Sequence, residues 1–154
     1  MIELVAAGPA QMRAIGARLA GLLRAGDLVV LAGPLGAGKT TLVQGIGEGL
    51  GVRGPITSPT FVIARVHPSL RDGPDLLHAD AYRLGSRLEV DDLDLDTEGS
   101  VTVVEWGEGL VENLTPAHLR VTIGVLSEDS RAVHFEGFGD RWRGTEIPPR
   151  STSD

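Results

Sequence analysis

The chain contains no cysteine, so a disulfide framework and any thiolate zinc or iron–sulfur site are excluded from the outset. It also lacks an apolar run near the roughly 18 residues needed to span a bilayer. Its first residues, Met1 to Ala7, contain Glu3 and have no basic stretch followed by a long apolar core, so no secretory leader is read there. A soluble, cytoplasmic protein is the expectation, and Asn113-Leu-Thr115 is then a glycosylation sequon on paper only. Aromatic residues make up only 4% of the chain, and lysine is almost absent: Lys39 is the single lysine among 14 basic residues.

Charge of one sign is in excess, with a formal net charge of −7, but the excess is local. Glu89 to Glu98 carries six acids and no base, leaving 15 acidic against 14 basic residues elsewhere. No basic stripe of the kind that neutralises a phosphate backbone is present, so direct, tight nucleic-acid binding is not expected. The acidic run reads most simply as the solvated face of a short helix, with a docking surface for a basic partner as the alternative. With 154 residues, a single domain buries about two-thirds of the surface its unfolded chain exposes, enough for a core without staples.

Hydrophobic periodicity divides the chain into alternating elements. Ile2 to Val5 reads as a strand, and Pro9 to Arg24 as a helix with the stripe Met12, Ile15, Leu19, Leu22 and Leu23. Asp27 to Ala32 reads as a buried strand between Gly26 and Gly33. A second helix runs from Gly38 to Leu50, burying Leu42, Val43, Ile46 and Leu50, with Gly45, Gly47 and Gly49 as weakening residues. Further strands are expected at Phe61 to Val66, Leu76 to Ala81, Val101 to Glu105, Leu119 to Leu126 and Ala132 to Phe138, the last two joined by a hairpin loop at Ser127 to Arg131. The fold class is α/β: one P-loop NTPase-like domain over residues 1–138, with a central, mostly parallel sheet, flanking helices and a C-terminal β-hairpin. Residues 139–154 read as a mobile polar tail, in which Trp142 packs back on the sheet or meets a partner.

The chemistry begins at Gly33-Pro34-Leu35-Gly36-Ala37-Gly38-Lys39-Thr40, which satisfies G-x-x-x-x-G-K-[ST] between a buried strand and a helix start. A chance match occurs in roughly one chain in 200 of this length, and the strand-before, helix-after context lowers that further. The glycines let backbone N–H groups turn onto phosphates, the helix N-terminus adds partial positive charge, Lys39 reaches the β and γ phosphates, and Thr40 offers a hydroxyl to Mg²⁺. Two carboxylates are candidates for holding the metal or ordering water: Glu105, which ends the apolar run from Val101, and Asp80, which alternation places on one face with His78 and Tyr82. Each has a plainer reading, as a strand-end carboxylate facing solvent or as part of a polar edge. The hydroxyl-rich segment Thr57-Ser58-Pro59-Thr60 has ordinary loop composition, but loops of this kind close onto a γ-phosphate beside a P-loop.

Within the nucleotide-binding class, GTPase is disfavoured. Asp96-Thr-Glu-Gly99 matches D-x-x-G but follows the acidic run rather than an apolar strand, and no N-K-x-D element is present. A small-molecule kinase remains an alternative, although Arg65, Arg71, Arg83 and Arg87 are scattered without a lid insertion; a nucleotide-dependent binding module with negligible hydrolysis is the other. Histidines 67, 78, 118 and 134 have no zinc-site spacing, and only His78 stands beside a candidate acid.

Taken together, the segment Gly33 to Thr41, Ser58-Pro-Thr-Phe61, His78-Ala-Asp-Ala-Tyr-Arg-Leu84 and Val104-Glu-Trp106 resemble, in order and spacing, the TsaE (YjeE) family, over about residues 1 to 138. The resemblance implies a Mg²⁺-dependent ATPase required for threonylcarbamoyladenosine (t6A) modification of tRNA, acting with the proteins TsaD and TsaB. By the same resemblance Gly33 through Thr41 would bind nucleotide, with Lys39 on phosphate. Thr40 and Glu105 would hold Mg²⁺, Thr57 to Thr60 would sense the nucleotide, and Asp80 would serve hydrolysis. Trp106 would sit near the nucleotide or the partner. Pro34 stands where the family usually has an acidic residue.

Overall fold

The computed structural model describes residues 2–34, 38–52, 64–80, 99–105 and 117–143. Strand β1 (Ile2–Ala7) leads into helix α1 (Pro9–Ala20), strand β2 (Leu28–Ala32) and helix α2 (Lys39–Leu50). Strands β3 (Ala64–His67), β4 (Asp75–Asp80), β5 (Ser100–Glu105), β6 (His118–Val125) and β7 (Ser130–Phe138) follow, and a short 3₁₀ helix spans Asp140–Trp142. The seven strands form one sheet in the order β1-β7-β6-β2-β5-β4-β3. Its middle is parallel: β4, β5, β2 and β6 run the same way, while β3 and the β6–β7–β1 side pair antiparallel. The expected α/β domain with a C-terminal hairpin is therefore present, in a sheet that is mixed, with parallel pairing confined to its centre.

The apolar patterning explains which strands lie where. β5 is buried along its whole length and β2 along Leu28 to Leu31, as strands covered on both faces must be. Alternate residues Val29, Leu31, Val101, Val103, Leu119, Val121, Val133 and Phe135 form one core cluster with Met12, Ile15 and Leu19 of α1 and Leu42, Val43 and Ile46 of α2. In α1 the α-helical ladder stops at Ala20, four residues short of the expected end. Leu22 and Leu23 continue through i→i+3 bonds to Leu19 and Ala20, and this tighter turn keeps Leu23 in the core.

Two of the glycines that weaken α2 as an isolated helix, Gly45 and Gly49, have a packing reason. A Cβ at Gly45 would overlap the backbone of Arg13, and one at Gly16 would overlap the Leu42 carbonyl and the Ile46 nitrogen. The two helices thus meet backbone to backbone, an approach only glycine allows.

The chain beyond Phe138 is not tail at its start. Trp142 is 4% exposed and belongs to the core cluster. Arg141 donates from Nε to Asp27 Oδ1 and from Nη2 to Asp27 Oδ2, each at 2.9 Å, and from Nη2 to the Leu22 carbonyl at 2.6 Å. Asp27 also accepts the Arg24 N–H at 2.9 Å. The packed structure therefore reaches Trp142, past the expected boundary at 138, and clamps the connection between α1 and β2; residues 144–154 lie outside the described residues.

Two outcomes follow for urea denaturation. Gly45→Ala should destabilise by about 1–3 kcal/mol through overpacking, although alanine is the better helix former, while Gly124→Ala, with open space at its Cβ, should stay within about 0.5 kcal/mol of the parent. Arg141→Ala, which strands the buried Asp27 carboxylate, should cost about 2–4 kcal/mol; an unchanged midpoint would contradict the clamp.

Candidate functional site

The parallel strands end together, and the site stands at that end. β2 finishes at Ala32, Gly33 and Pro34 leave the sheet, and Gly38 enters α2 with φ of 105°, a left-handed conformation suited to glycine. The first turn of α2 has neither an acidic residue nor a side-chain cap, so the amides of Lys39, Thr40 and Thr41 are the ones a helix start leaves without intrahelical partners. Lys39 is buried, and its ammonium donates to the carbonyls of Gly33 at 2.7 Å and Pro34 at 3.0 Å. The lysine thus folds over its own loop, and Pro34 contributes a carbonyl in place of a side-chain charge. Leu35, Gly36 and Ala37 lie outside the described residues.

Beside β2, strand β5 pairs in parallel so that Glu105 lies in register with Leu31, and β4 pairs with β5 so that Asp80 lies in register with Glu105. Glu105 continues the alternation Val101, Val103 on the helix-facing side of the sheet, at the point where that apolar surface ends. It is 5% exposed, and its Oε2 lies 2.6 Å from Nε2 of the fully buried His78. Placing Glu105 at a strand end facing solvent is thereby excluded, and His78 lies directly against it. Of Asp80 the structure gives the backbone position; its side chain, like Trp106 and the segment Thr57, Ser58, Pro59 and Thr60, falls outside what is described. The donor set that is described, a hydroxyl on the first turn of α2 and a buried carboxylate on the adjacent strand, is all oxygen and suits a hard divalent cation such as Mg²⁺. No group of three or more histidine or acidic ligands occurs among the described residues.

On the other side of the α2 N-terminus lies a cavity of about 340 Å³, within the roughly 300–1,000 Å³ of small-molecule sites. It is lined by Gly8, Pro9 and Met12 at the start of α1, Gly38 and Thr41 at the start of α2, and Glu128, Asp129 and Arg131 at the β6–β7 turn. The Gly8 N–H donates to the Asp129 carbonyl at 2.8 Å, joining two of these walls. Arg131 donates to the carbonyls of Ser127 and Glu128, bracing the turn. Sequence reading does not find this pocket beyond Gly38 and Thr41, since its walls come from three segments more than 25 residues apart and the two outside the P-loop carry no motif. The remaining histidines stand apart from the site: His67 is buried on β3, and His118 is buried on β6 and stacked on Phe138 with ring centroids 4.6 Å apart.

Comparison with known proteins bears on the family and the fold. The profile of the family described as threonylcarbamoyl adenosine biosynthesis protein TsaE matches residues 6–133. A Streptomyces coelicolor protein named tRNA threonylcarbamoyladenosine biosynthesis protein TsaE is 61% identical over 143 residues, covering 88% of this chain and 97% of its own. Its namesake from Bacillus subtilis is 36% identical over 138 residues, covering 87% and 84%. The crystal structure of Bacillus subtilis YdiB superposes with a TM-score of 0.74 at 31% identity, over 92% of this chain and 88% of that one. With the profile spanning most of the chain and relatives this close over nearly their whole length, the chain belongs to the TsaE family.

Proposed function

We propose that this protein binds ATP with Mg²⁺ at the β2–α2 turn and hydrolyses it slowly in the service of tRNA t6A biosynthesis, together with the TsaD–TsaB pair. The observation that carries the reading is the juxtaposition of the G-x-x-x-x-G-K-T turn with the buried Glu105 of the neighbouring parallel strand. The t6A role is supported by membership of a family whose named relatives carry that designation.

In this reading Lys39 exchanges its bonds to the Gly33 and Pro34 carbonyls for the β and γ phosphate oxygens, and the backbone N–H groups of Gly33 to Thr41, Pro34 excepted, complete the cradle. Thr40 and Glu105 would hold Mg²⁺, which supplies charge neutralisation at the phosphates when bound. Asp80, the register partner of Glu105 on the adjacent strand, orients the attacking water for in-line displacement, so no covalent intermediate with the protein is required. Stabilisation of the transition state then rests on preorganised donors rather than on a nucleophile. The cavity lined by Gly38 and Thr41 takes the base and sugar, because it opens directly beside the phosphate cradle. None of the 13 arginines stands at an obvious finger position in the sequence, which favours slow turnover until a partner closes the site. Thr57 to Thr60 and Trp106 are proposed as the nucleotide-sensing loop and a nucleotide or partner contact.

Steady-state hydrolysis with Mg²⁺, with and without TsaD–TsaB, tests this directly. Stimulation of tenfold or more by the pair, lost in Lys39→Ala, is expected; strong turnover by the chain alone, indifferent to the pair, would contradict partner activation. Transfer of phosphate to a small acceptor would favour a kinase, and partner affinity that follows nucleotide while Asp80→Ala leaves function intact would favour a binding module. The base pocket has its own test. Arg131→Ala should loosen the braced turn and weaken ADP binding about threefold to tenfold, a loss of roughly 0.7–1.4 kcal/mol, while leaving tripolyphosphate binding unchanged by calorimetry.

A further inference from the structure

The buried histidine of β4 has no task in the reading above, and its surroundings give it one. His78 has no solvent-accessible surface, so the role argued for it is exerted through a neighbouring side chain. Its Nε2 lies 2.6 Å from Glu105 Oε2, a short contact between ring nitrogen and carboxylate oxygen. Against a carboxylate oxygen the imidazole Nε2–H is the donor. Nδ1 has no hydrogen-bond partner among the described residues, which makes the imidazole a costly way to fill this space if filling it were its only purpose. A leucine or valine, as found along the rest of the helix-facing layer, would pack there without an orphaned nitrogen.

We propose that His78 is a positioning residue that fixes the carboxylate of Glu105 for the cation. A glutamate side chain has three rotatable bonds, and near a strand end it samples several directions. By tying Oε2 back toward the apolar layer, His78 removes that freedom and leaves Oε1 as the oxygen free to serve the cation. The role is that of an outer partner orienting a metal ligand, for which losses of about 10–100-fold in metal affinity are typical. The inference rests on the assignment of Glu105 to the cation, and the experiment separates the two.

The measurement is Mn²⁺ affinity of the full chain with ADP, by electron paramagnetic resonance, beside metal-free ADP affinity measured in chelator. His78→Leu should weaken Mn²⁺ binding about tenfold or more and leave metal-free ADP binding within about twofold. His78→Gln, whose amide N–H stands in for Nε2–H, should restore Mn²⁺ binding to within about threefold of the parent. Should His78→Leu fail to fold, His78→Asn decides the matter, since its amide stops short of Oε2 and should bind Mn²⁺ more weakly than His78→Gln. Equal Mn²⁺ affinity in the leucine variant and the parent, with Glu105→Gln impaired, would overturn the positioning role alone. Unchanged affinity in Glu105→Gln would overturn the assignment of Glu105 and this inference with it. An equal loss of metal-free ADP binding in His78→Leu, or equal Mn²⁺ affinity in His78→Asn and His78→Gln, would reduce His78 to a packing residue.

Discussion

Parallel pairing of β4, β5, β2 and β6 is the constraint from which the site follows. Parallel neighbours finish at the same edge of the sheet, so a turn leaving β2 is automatically flanked by the last residues of β5 and β6. In open α/β sheets that edge is where ligands lie, because backbone amides from helix starts and polar side chains from strand ends converge there. Here the convergence is specific: the register sets Glu105 against Leu31 and Asp80 against Glu105, so that two acids separated by 25 positions in the chain become neighbours beside the lysine turn. A slip of one residue would turn Glu105 to the other face of the sheet, away from α2.

The register is protected by packing rather than by polar bonds within the site. Val29, Leu31, Val101 and Val103 are each fully buried on the face that meets the helices, and α2 sits close to α1 because Gly16 and Gly45 let their backbones touch. The residues that look weakest as helix formers therefore set the depth at which α2 presents its N-terminus. Arg141 and Trp142 hold the far end of the same layer, tying the α1–β2 connection through Asp27. Stability and site geometry share these contacts.

Much of this was legible in the sequence because it depends on short-range pattern. The alternation and 3.6-residue periods locate each of the nine described α-helices and strands, and the Gly33 to Thr40 segment carries its chemistry in its spacing. What was not legible depends on residues far apart in the chain. The His78–Glu105 bond spans 27 positions, and the Arg141–Asp27 clamp spans 114. Read locally, Gly139 onward is polar and turn-forming, so it resembles a tail; only the core cavity that Trp142 fills, and the buried Asp27 that needs a cation, make it part of the domain. Gly45 and Gly49 of α2 are a similar case, unfavourable by propensity and required by a helix crossing that no local pattern announces. The cavity beside Thr41 is built from three such distant segments, which is why only its P-loop wall was foreseen.

The central claim is that phosphates and base occupy the edge where β2 meets α2, between Glu105 and the β6–β7 turn. Hydrogen–deuterium exchange of the full chain with and without Mg²⁺-ADP tests it most directly. The account predicts protection gathered in Gly33–Pro34, in Gly38 to Leu42, around Gly8 to Met12 and in Ser127 to Arg131, with the antiparallel edge strand Ala64–His67 unchanged. Protection absent from the α2 N-terminus, or concentrated instead on the β1 or β3 edges, would contradict it.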